Sequence, residues 1–158
     1  MGARAEALAK RFEEANGAVI AEVEGCSDTH WRATTKAEGW SVAATAHHIG
    51  GGHEPIAGIV QAIATGQPLP GLTWEMINQG NAEHAKQFAN CAKPEALELL
   101  RKSGAAAAGI VRGLSDEQLD RTATIELMGG ASVSAQQFVE MVLLGHPQEH
   151  LESIRAAN

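Results

Sequence analysis

Two histidines near the end of the sequence have the spacing of metal ligands on one helix. His146 and His150 stand four residues apart in the stretch GHPQEH. Residues at that spacing share a helix face with Cβ atoms about 5–6 Å apart, so two imidazoles can converge on one ion. Val139, Leu143 and Ile154 fall on the same face, which points the pair toward the interior. Burying two imidazoles without partners is unfavourable, and a metal ion would satisfy both.

The stretch TAHHIGGGHE supplies the third predicted ligand. His48 falls on an inward helical stripe between Thr45 and Gly52, whereas His47 lies about 100° further round the helix. We therefore predict His48 as the ligand and keep His47 as the alternative. Three inward histidines from two helices would leave a fourth coordination position for water or substrate, as catalytic zinc sites require.

Four further polar residues are candidates for the pocket wall or for hydrogen bonds to the ligands. His53 and Glu54 follow His48 on the same helix, and ligating histidines usually donate their other N–H to a carboxylate or a carbonyl. Asn81 and His84 fall on the inward stripe of the following helix. The simpler interpretation makes His84 a core histidine and Glu54 an exposed charge, and the sequence leaves both interpretations open.

The stretch HPQEH also matches the His-x-x-Glu-His pattern of inverted zinc proteases, in which Glu149 would be the general base. Those enzymes need another ligand well downstream, and only eight residues follow His150. This hypothesis is therefore disfavoured. A second alternative has no metal at all. In that case the histidines are satisfied core residues of a helical interaction protein.

Helical periodicity dominates the chain and predicts the elements that carry these residues. Ser41 is a good N-cap for a helix beginning at Val42, and Pro94 suits the first turn of another helix. Residues 25–39 and 65–71 are expected to be loops, and residues 121–132 are the one segment expected to be extended. The predicted helices cover residues 4–24, 42 to the break at 65–71, 73–91, 94–113 and 133–156.

Helix-breaking residues surround the predicted ligands. Gly50–Gly52 follow His48, and Pro147 follows His146. Each glycine destabilises a helix by about 1 kcal/mol relative to alanine, and a mid-helix proline by about 3 kcal/mol. We infer that the missing side chains clear room beside the metal and that Pro147 kinks the last helix. In the alternative, the second helix ends at Gly50 and another starts near Pro55.

Length, composition and charge restrict the class of protein. The 158 residues suit one domain, residues 1–158, with 44% hydrophobic and 20% charged residues. No apolar run approaches the ~20 residues that span a bilayer. The formal charge of −7 without a basic patch argues against a nucleic-acid partner. Two isolated cysteines and no signal-peptide pattern predict a cytoplasmic protein.

Three stretches together resemble the DinB/YfiT-like family of small helical metalloproteins. They are GWSVAATAHHI at 39–49, INQGNAEHA at 77–85 and GHPQEH at 145–150. The resemblance implies an all-α, up-down-down-up four-helix bundle that holds a divalent metal on His48, His146 and His150. Some family members transfer low-molecular-weight thiols such as bacillithiol or mycothiol, and others resemble metal-dependent hydrolases.

The leading functional hypothesis is an enzyme that binds zinc or nickel and activates a low-molecular-weight thiol for attack on a small electrophile. A hydrolase that uses metal-bound water is the first alternative, and a non-catalytic metal- or ligand-binding module is the second. A fourth protein ligand, such as His53 or His84, would favour the non-catalytic module. A small-molecule substrate is the expected partner. The sequence is compatible with a homodimer but does not fix the oligomeric state.

Overall fold

The structure, a computed structural model, describes residues 2–157 and is mostly helical. A π-helical turn at Val139–Leu143 joins the last two helices. In chain order the elements are α1 (Ala3–Gly25), α2 (Asp28–Arg32), α3 (Val42–Thr65), α4 (Trp74–Gln87), α5 (Lys93–Arg112), α6 (Asp116–Asp120), β1 (Thr122–Ile125), a 3-10 turn (Glu126–Met128), β2 (Ala131–Ser134), α7 (Ala135–Phe138) and α8 (Gly145–Ala156).

Four long segments form the bundle: α1, α3, α5 and the C-terminal segment that runs from α7 through α8. Both α1 and α3 pack against α5 and α8, while α4 lies against α3. This arrangement confirms the predicted up-down-down-up four-helix bundle. None of the described helices has the length and apolar character needed to cross a membrane.

Side-chain caps fix the starts of several helices where the sequence indicates them. The Ser41 hydroxyl accepts a hydrogen bond from the Ala44 N–H at 3.0 Å and begins α3, as predicted. Ser115 and Gln118 form a reciprocal capping box on α6. Such caps satisfy N–H groups that the first helical turn leaves without partners.

The connecting segments differ from the sequence predictions in two places. The expected loop at 25–39 contains the short helix α2, and α4 ends at Gln87 rather than at residue 91. No residue of α4 is fully buried, so this helix covers the bundle rather than joining its core. The segment expected to be extended forms an antiparallel hairpin, in which Thr122 pairs with Ser134 and Ile125 with Ala131.

Helix α3 is continuous through Gly50–Gly52 and Pro55, so the alternative of two separate helices is wrong. Gly50 allows close contact with α5: a Cβ there would lie 3.0 Å from Leu99 Cγ. The predicted inward stripe of α3 is also shifted. Its most buried face carries Ile49, His53, Ala57 and Val60, while the predicted positions Gly52, Ile56 and Ile59 are half-buried.

The C-terminal helical segment contains a π-helical turn just before the predicted ligands. The Leu144 N–H donates to the Val139 carbonyl at 2.9 Å, one residue further back than in an α-helix. Pro147 follows in the first turn of α8, where a missing N–H is tolerated. The irregularity in this segment is thus the π turn ahead of the ligands, whereas the kink had been predicted at Pro147, which lies within the first turn of α8.

The core consists of two apolar clusters along the bundle axis. One, which includes Phe12, Ile63 and Leu143, lies toward the hairpin. The other, which includes Ile49 and Leu100, lies toward α2. The polar residues Asn16 and His53 fall between these clusters on α1 and α3.

Candidate metal centre

Three histidines from two helices converge at one point of the bundle. One nitrogen from each of His48, His146 and His150 lies within 4.8 Å of the others. His48 lies on α3 and the other two lie on α8, and the Nε2 atoms of His48 and His146 are only 2.9 Å apart. The structure thus brings together the three predicted ligands, and metal binding itself stays a prediction.

A buried carboxylate fixes the third imidazole. His150 Nδ1 donates to Glu38 Oε1 at 2.8 Å, and the side chains are only 14% and 10% exposed, respectively. With its Nδ1 proton held by Glu38, His150 keeps the Nε2 lone pair free to bind a metal. Burial opposes ionisation of Glu38, but the side chains of Thr35, His150 and Ser153 together lower the pKa of this carboxyl below its ordinary value.

A tight loop before α3 positions both Glu38 and the ring of Trp40 next to the triad. The Thr35 N–H donates to the Trp40 carbonyl at 2.7 Å, and Gly39 adopts a φ of 74° between the two functional side chains. This left-handed conformation favours glycine. The Trp40 ring centroid lies 5.0 Å from that of His48 and 6.1 Å from that of His150. The tryptophan therefore walls the triad on one side.

Gly52 makes room for one of the ligands. A Cβ at this position would lie 2.8 Å from His146 Cε1, closer than atoms normally approach. The predicted clearing of space thus holds at Gly52, whereas a Cβ at Gly51 would meet nothing within 4 Å. The absent side chain lets α8 bring His146 up to α3.

The electrostatics of the triad keep two of its imidazoles neutral. Burial, followed by the neighbouring histidines, lowers the pKa of His48 to about 4 and that of His146 to about 3. Because neutral imidazole is the form that binds metal, no proton needs to leave these residues at pH 7. His146 Nδ1 is moreover buried without a hydrogen-bond partner.

The two other histidines near the triad form a separate pair. His47 Nδ1 and His84 Nε2 are 2.8 Å apart, and the His47 ring stacks on Phe88 at a centroid distance of 3.7 Å. The His84 ring centroid lies 5.8 Å from that of His48, so this pair borders the triad. His47, which the prediction had kept as an alternative ligand, is thus not a member of the converging group.

The structure does not support a role beside the ligands for His53 or Glu54. His53 is fully buried, and its Nε2 donates to Asn16 Oδ1 at 2.8 Å. Asn16 Nδ2 in turn donates to the Leu100 carbonyl at 2.9 Å. His53 faces the core because it follows Ile49 by one helical turn, while Glu54, about 100° further round the helix, is exposed. The polar contact predicted for these residues is made instead by Glu38.

A pocket of about 540 Å³ opens in front of the triad. Its polar lining consists of the three histidines together with Glu149 and Asn81. Asn81 was among the residues predicted for the pocket wall. Its other walls are apolar and come from α3, α4, the hairpin and the π turn. They include Ile56, Ile59, Trp74, Ile77, Leu127 and Met141.

The residues present fit a divalent metal ion. Three imidazoles from two helices converge, and one of them is oriented by a carboxylate. Neither His53 nor His84 belongs to the converging group, so among the His, Cys, Asp and Glu side chains of residues 2–157 no fourth ligand joins the three histidines. The arrangement is that of an open site facing a pocket.

Sequence reasoning missed Glu38 and the part that Trp40 plays at the triad. Glu38 is 112 residues from His150 in the chain, and it lies in a segment that shows no periodicity. The available signal was local: Glu38 and Trp40 flank a glycine directly before the Ser41 cap.

Comparison with known proteins identifies the fold. The sequence model of the DinB superfamily matches residues 11–154. No curated protein matches the chain.

Several solved structures have the same architecture. YfiT from Bacillus subtilis, described as a probable metal-dependent hydrolase with an unusual four-helix bundle topology, has a TM-score of 0.74 at 16% identity, over 98% of this chain and 86% of its own. An uncharacterised protein from Clostridium difficile 630 has a TM-score of 0.75 at 13% identity, over 98% and 95%. A mycothiol-dependent maleylpyruvate isomerase has a TM-score of 0.75 at 14% identity. The match covers 99% of this chain but only 64% of the isomerase.

Proposed function

This chain belongs to the DinB superfamily, and from that premise we propose that it is a metal-dependent enzyme whose open three-histidine site activates a low-molecular-weight thiol. The observation that carries the proposal is the convergence of His48, His146 and His150 at a pocket, without a fourth His, Cys, Asp or Glu ligand among the described residues. Zinc or nickel suits three imidazoles. Bound there, the ion would lower the pKa of a coordinated thiol and supply a nucleophile at neutral pH.

The chain's own residues have distinct tasks in this proposal. His48, His146 and His150 hold the ion, and Glu38 orients the His150 ring through Nδ1. Trp40 excludes water from one side of the triad. Glu149 lines the pocket beside His150, and its carboxylate can accept the proton that the thiol releases. The apolar walls bind the electrophile and keep it next to the triad.

Hydrolysis by the same site is the second candidate function. It is supported by the similarity of the fold to YfiT, described as a probable metal-dependent hydrolase. In this version water replaces the thiol as the activated group, and the histidines and Glu38 keep their tasks. A requirement for added thiol separates the two functions.

Metal content measured by elemental mass spectrometry on tag-free protein is the first test. We expect about one divalent ion per chain in the wild type and none in His48→Ala or His146→Ala. His47→Ala is the matched control, because His47 is the neighbour of His48 but lies outside the converging group. Absence of metal from the wild type, together with no thermal stabilisation by added Zn²⁺ or Ni²⁺, would overturn the proposal.

Loaded protein is then assayed with an activated aryl halide in the presence and absence of mycothiol or bacillithiol, and with an activated ester alone. Thiol-dependent consumption of the halide supports the transferase. Hydrolysis of the ester without thiol supports the hydrolase. Neither activity in metal-loaded protein would leave a non-catalytic binding module as the function.

A further inference from the structure

The pocket in front of the triad extends well beyond the metal ligands. A second cavity of about 380 Å³ lies between residues 69–72 and the hairpin. The two cavities share Ile59, Leu72, Ile125, Leu127 and Phe138 in their linings. We call the two together the apolar trough. It runs from the triad, along α3, to β1 and the 3-10 turn.

The trough contains no cationic side chain. Among residues 2–157, no lysine or arginine lines either cavity, and the acidic residues in the linings are Glu149 at the triad end and Glu126 at the hairpin end. Six of the basic residues form ion pairs with carboxylates elsewhere: Arg4, Arg11, Arg101, Lys102, Arg112 and Arg155. A substrate whose carboxylate or phosphate groups lie in the trough away from the triad would therefore find no charge partner there, and the cost of desolvating those groups would not be offset.

Apolar side chains continue to the rim of the trough. Leu72, Trp74 and Met141 are large apolar residues that are 37%, 60% and 58% exposed, and all three line it. The Trp74 indole N–H donates to the Leu127 carbonyl at 3.2 Å, which joins α4 to the 3-10 turn across the rim. Exposed apolar residues grouped around a concave site indicate an apolar ligand.

We propose that the substrate is an uncharged, elongated apolar molecule that lies in the apolar trough with its reacting group at the triad. This rests on the function proposed above, because it assigns the substrate class of that same site. The volume and the shared walls suit an elongated molecule, and the absence of lysine and arginine from the trough selects against polyanionic substrates. The acidic residues at both ends add repulsion, as does the net charge of −7.

Two fluorescent probes of nearly the same skeleton test this on metal-free protein. N-phenyl-1-naphthylamine is neutral, and 1-anilinonaphthalene-8-sulfonate carries one added sulfonate. We expect the neutral probe to bind one per chain and at least about tenfold more tightly than the anionic probe. Equal or tighter binding of the anionic probe, or no binding of either, would overturn the proposal.

Substitution at the rim locates the probes. Met141→Arg places a cation in the trough and is expected to reduce the preference for the neutral probe to about threefold or less. Met76→Arg is the matched control, because Met76 is 53% exposed on α4 but does not line the trough. Trp74→Arg, at another exposed position of the rim, repeats the test if Met141→Arg does not fold. An unchanged preference in a folded rim variant would place the probes elsewhere and overturn the proposal.

These outcomes are separate from those of the metal experiments. A tenfold preference for the neutral probe in a protein that binds no metal would support the class of ligand proposed for the trough and would overturn the proposed enzyme. Metal binding and turnover in a protein that prefers the anionic probe would support the proposed enzyme and overturn the apolar substrate class.

Discussion

His48 and His53 lie five residues apart on α3, and burial lowers the pKa of each to about 4. By these measures they are alike, yet their surroundings differ. The Nε2–H of His53 donates a hydrogen bond to Asn16 within the core, between the two apolar clusters. His48 faces two other imidazoles and a pocket.

The difference teaches that a buried histidine with a low pKa does not by itself mark a functional site. The Nε2 of His53 is bound to Asn16, whose amide in turn donates to the Leu100 carbonyl, so this nitrogen is engaged within the core. His48 belongs to a group whose nitrogens converge and which a ligand can reach. Convergence and access, rather than burial, distinguish the candidate metal centre from the core.

The largest expected effect separates these two histidines directly. His48→Gln should abolish metal binding, a loss greater than the 10–100-fold typical of removing an outer partner of a ligand. His53→Gln should keep about one metal per chain, but it should lower the free energy of unfolding by about 1–3 kcal/mol because it disturbs a buried hydrogen bond. Chelator competition and urea denaturation measure the two effects. Loss of metal in His53→Gln at unchanged fold would break the comparison.

The next largest effect concerns the space beside the ligand on α8. Gly52→Ala should weaken metal binding by about 100-fold, because the new Cβ would displace His146. Gly51→Ala meets nothing within 4 Å and should leave the affinity unchanged, while stabilising α3 by up to about 1 kcal/mol. The measurement is metal titration of both variants by calorimetry. Similar affinities in the two variants would contradict the steric role of Gly52.

A third prediction uses the shared low pKa values. In the folded protein the imidazoles of His48 and His53 stay neutral down to about pH 4. In the unfolded chain they are protonated below about pH 6.5. The unfolded state therefore binds more protons between these values, and stability is lost as the pH falls through this window. For each such imidazole the loss is about 2 kcal/mol by pH 5.

Urea denaturation of metal-free protein at pH 7 and pH 5 measures this loss. His48→Gln and His53→Gln should each reduce the difference between the two pH values by a similar amount, because each removes one suppressed protonation. A wild-type pH dependence retained in both variants would show that other groups cause it.

The smallest expected effect concerns the carboxylate that holds His150. Glu38→Gln should weaken metal binding by about tenfold, because the amide accepts a hydrogen bond less strongly than a carboxylate. Glu54→Gln is the matched control, since Glu54 was predicted for this task but is exposed. Equal affinities of Glu38→Gln and wild type would remove Glu38 from the metal centre.

The sequence predicted much of the fold because most of its signals are local. Helical periodicity, the Ser41 cap and Pro94 at the start of α5 placed the long helices within a few residues. The errors arose where the burial of a helix face depends on neighbours that pack against the helix from several sides. The predicted inward face of α3 was shifted because the buried side toward the core and the half-buried side toward the pocket both carry apolar residues.

The sequence by itself predicted the three histidines of the triad. The four-residue spacing selected His146 and His150, whereas His48 was preferred to its alternative His47 on a helix stripe that the structure shows to be half-buried around His48 and Gly52. Only the tertiary structure decided which polar groups surround them. Glu38 reaches His150 from 112 residues away, and Gly52 matters because α8 crosses α3 at that point. These contacts depend on the packing of distant segments, about which spacing along one helix carries no information.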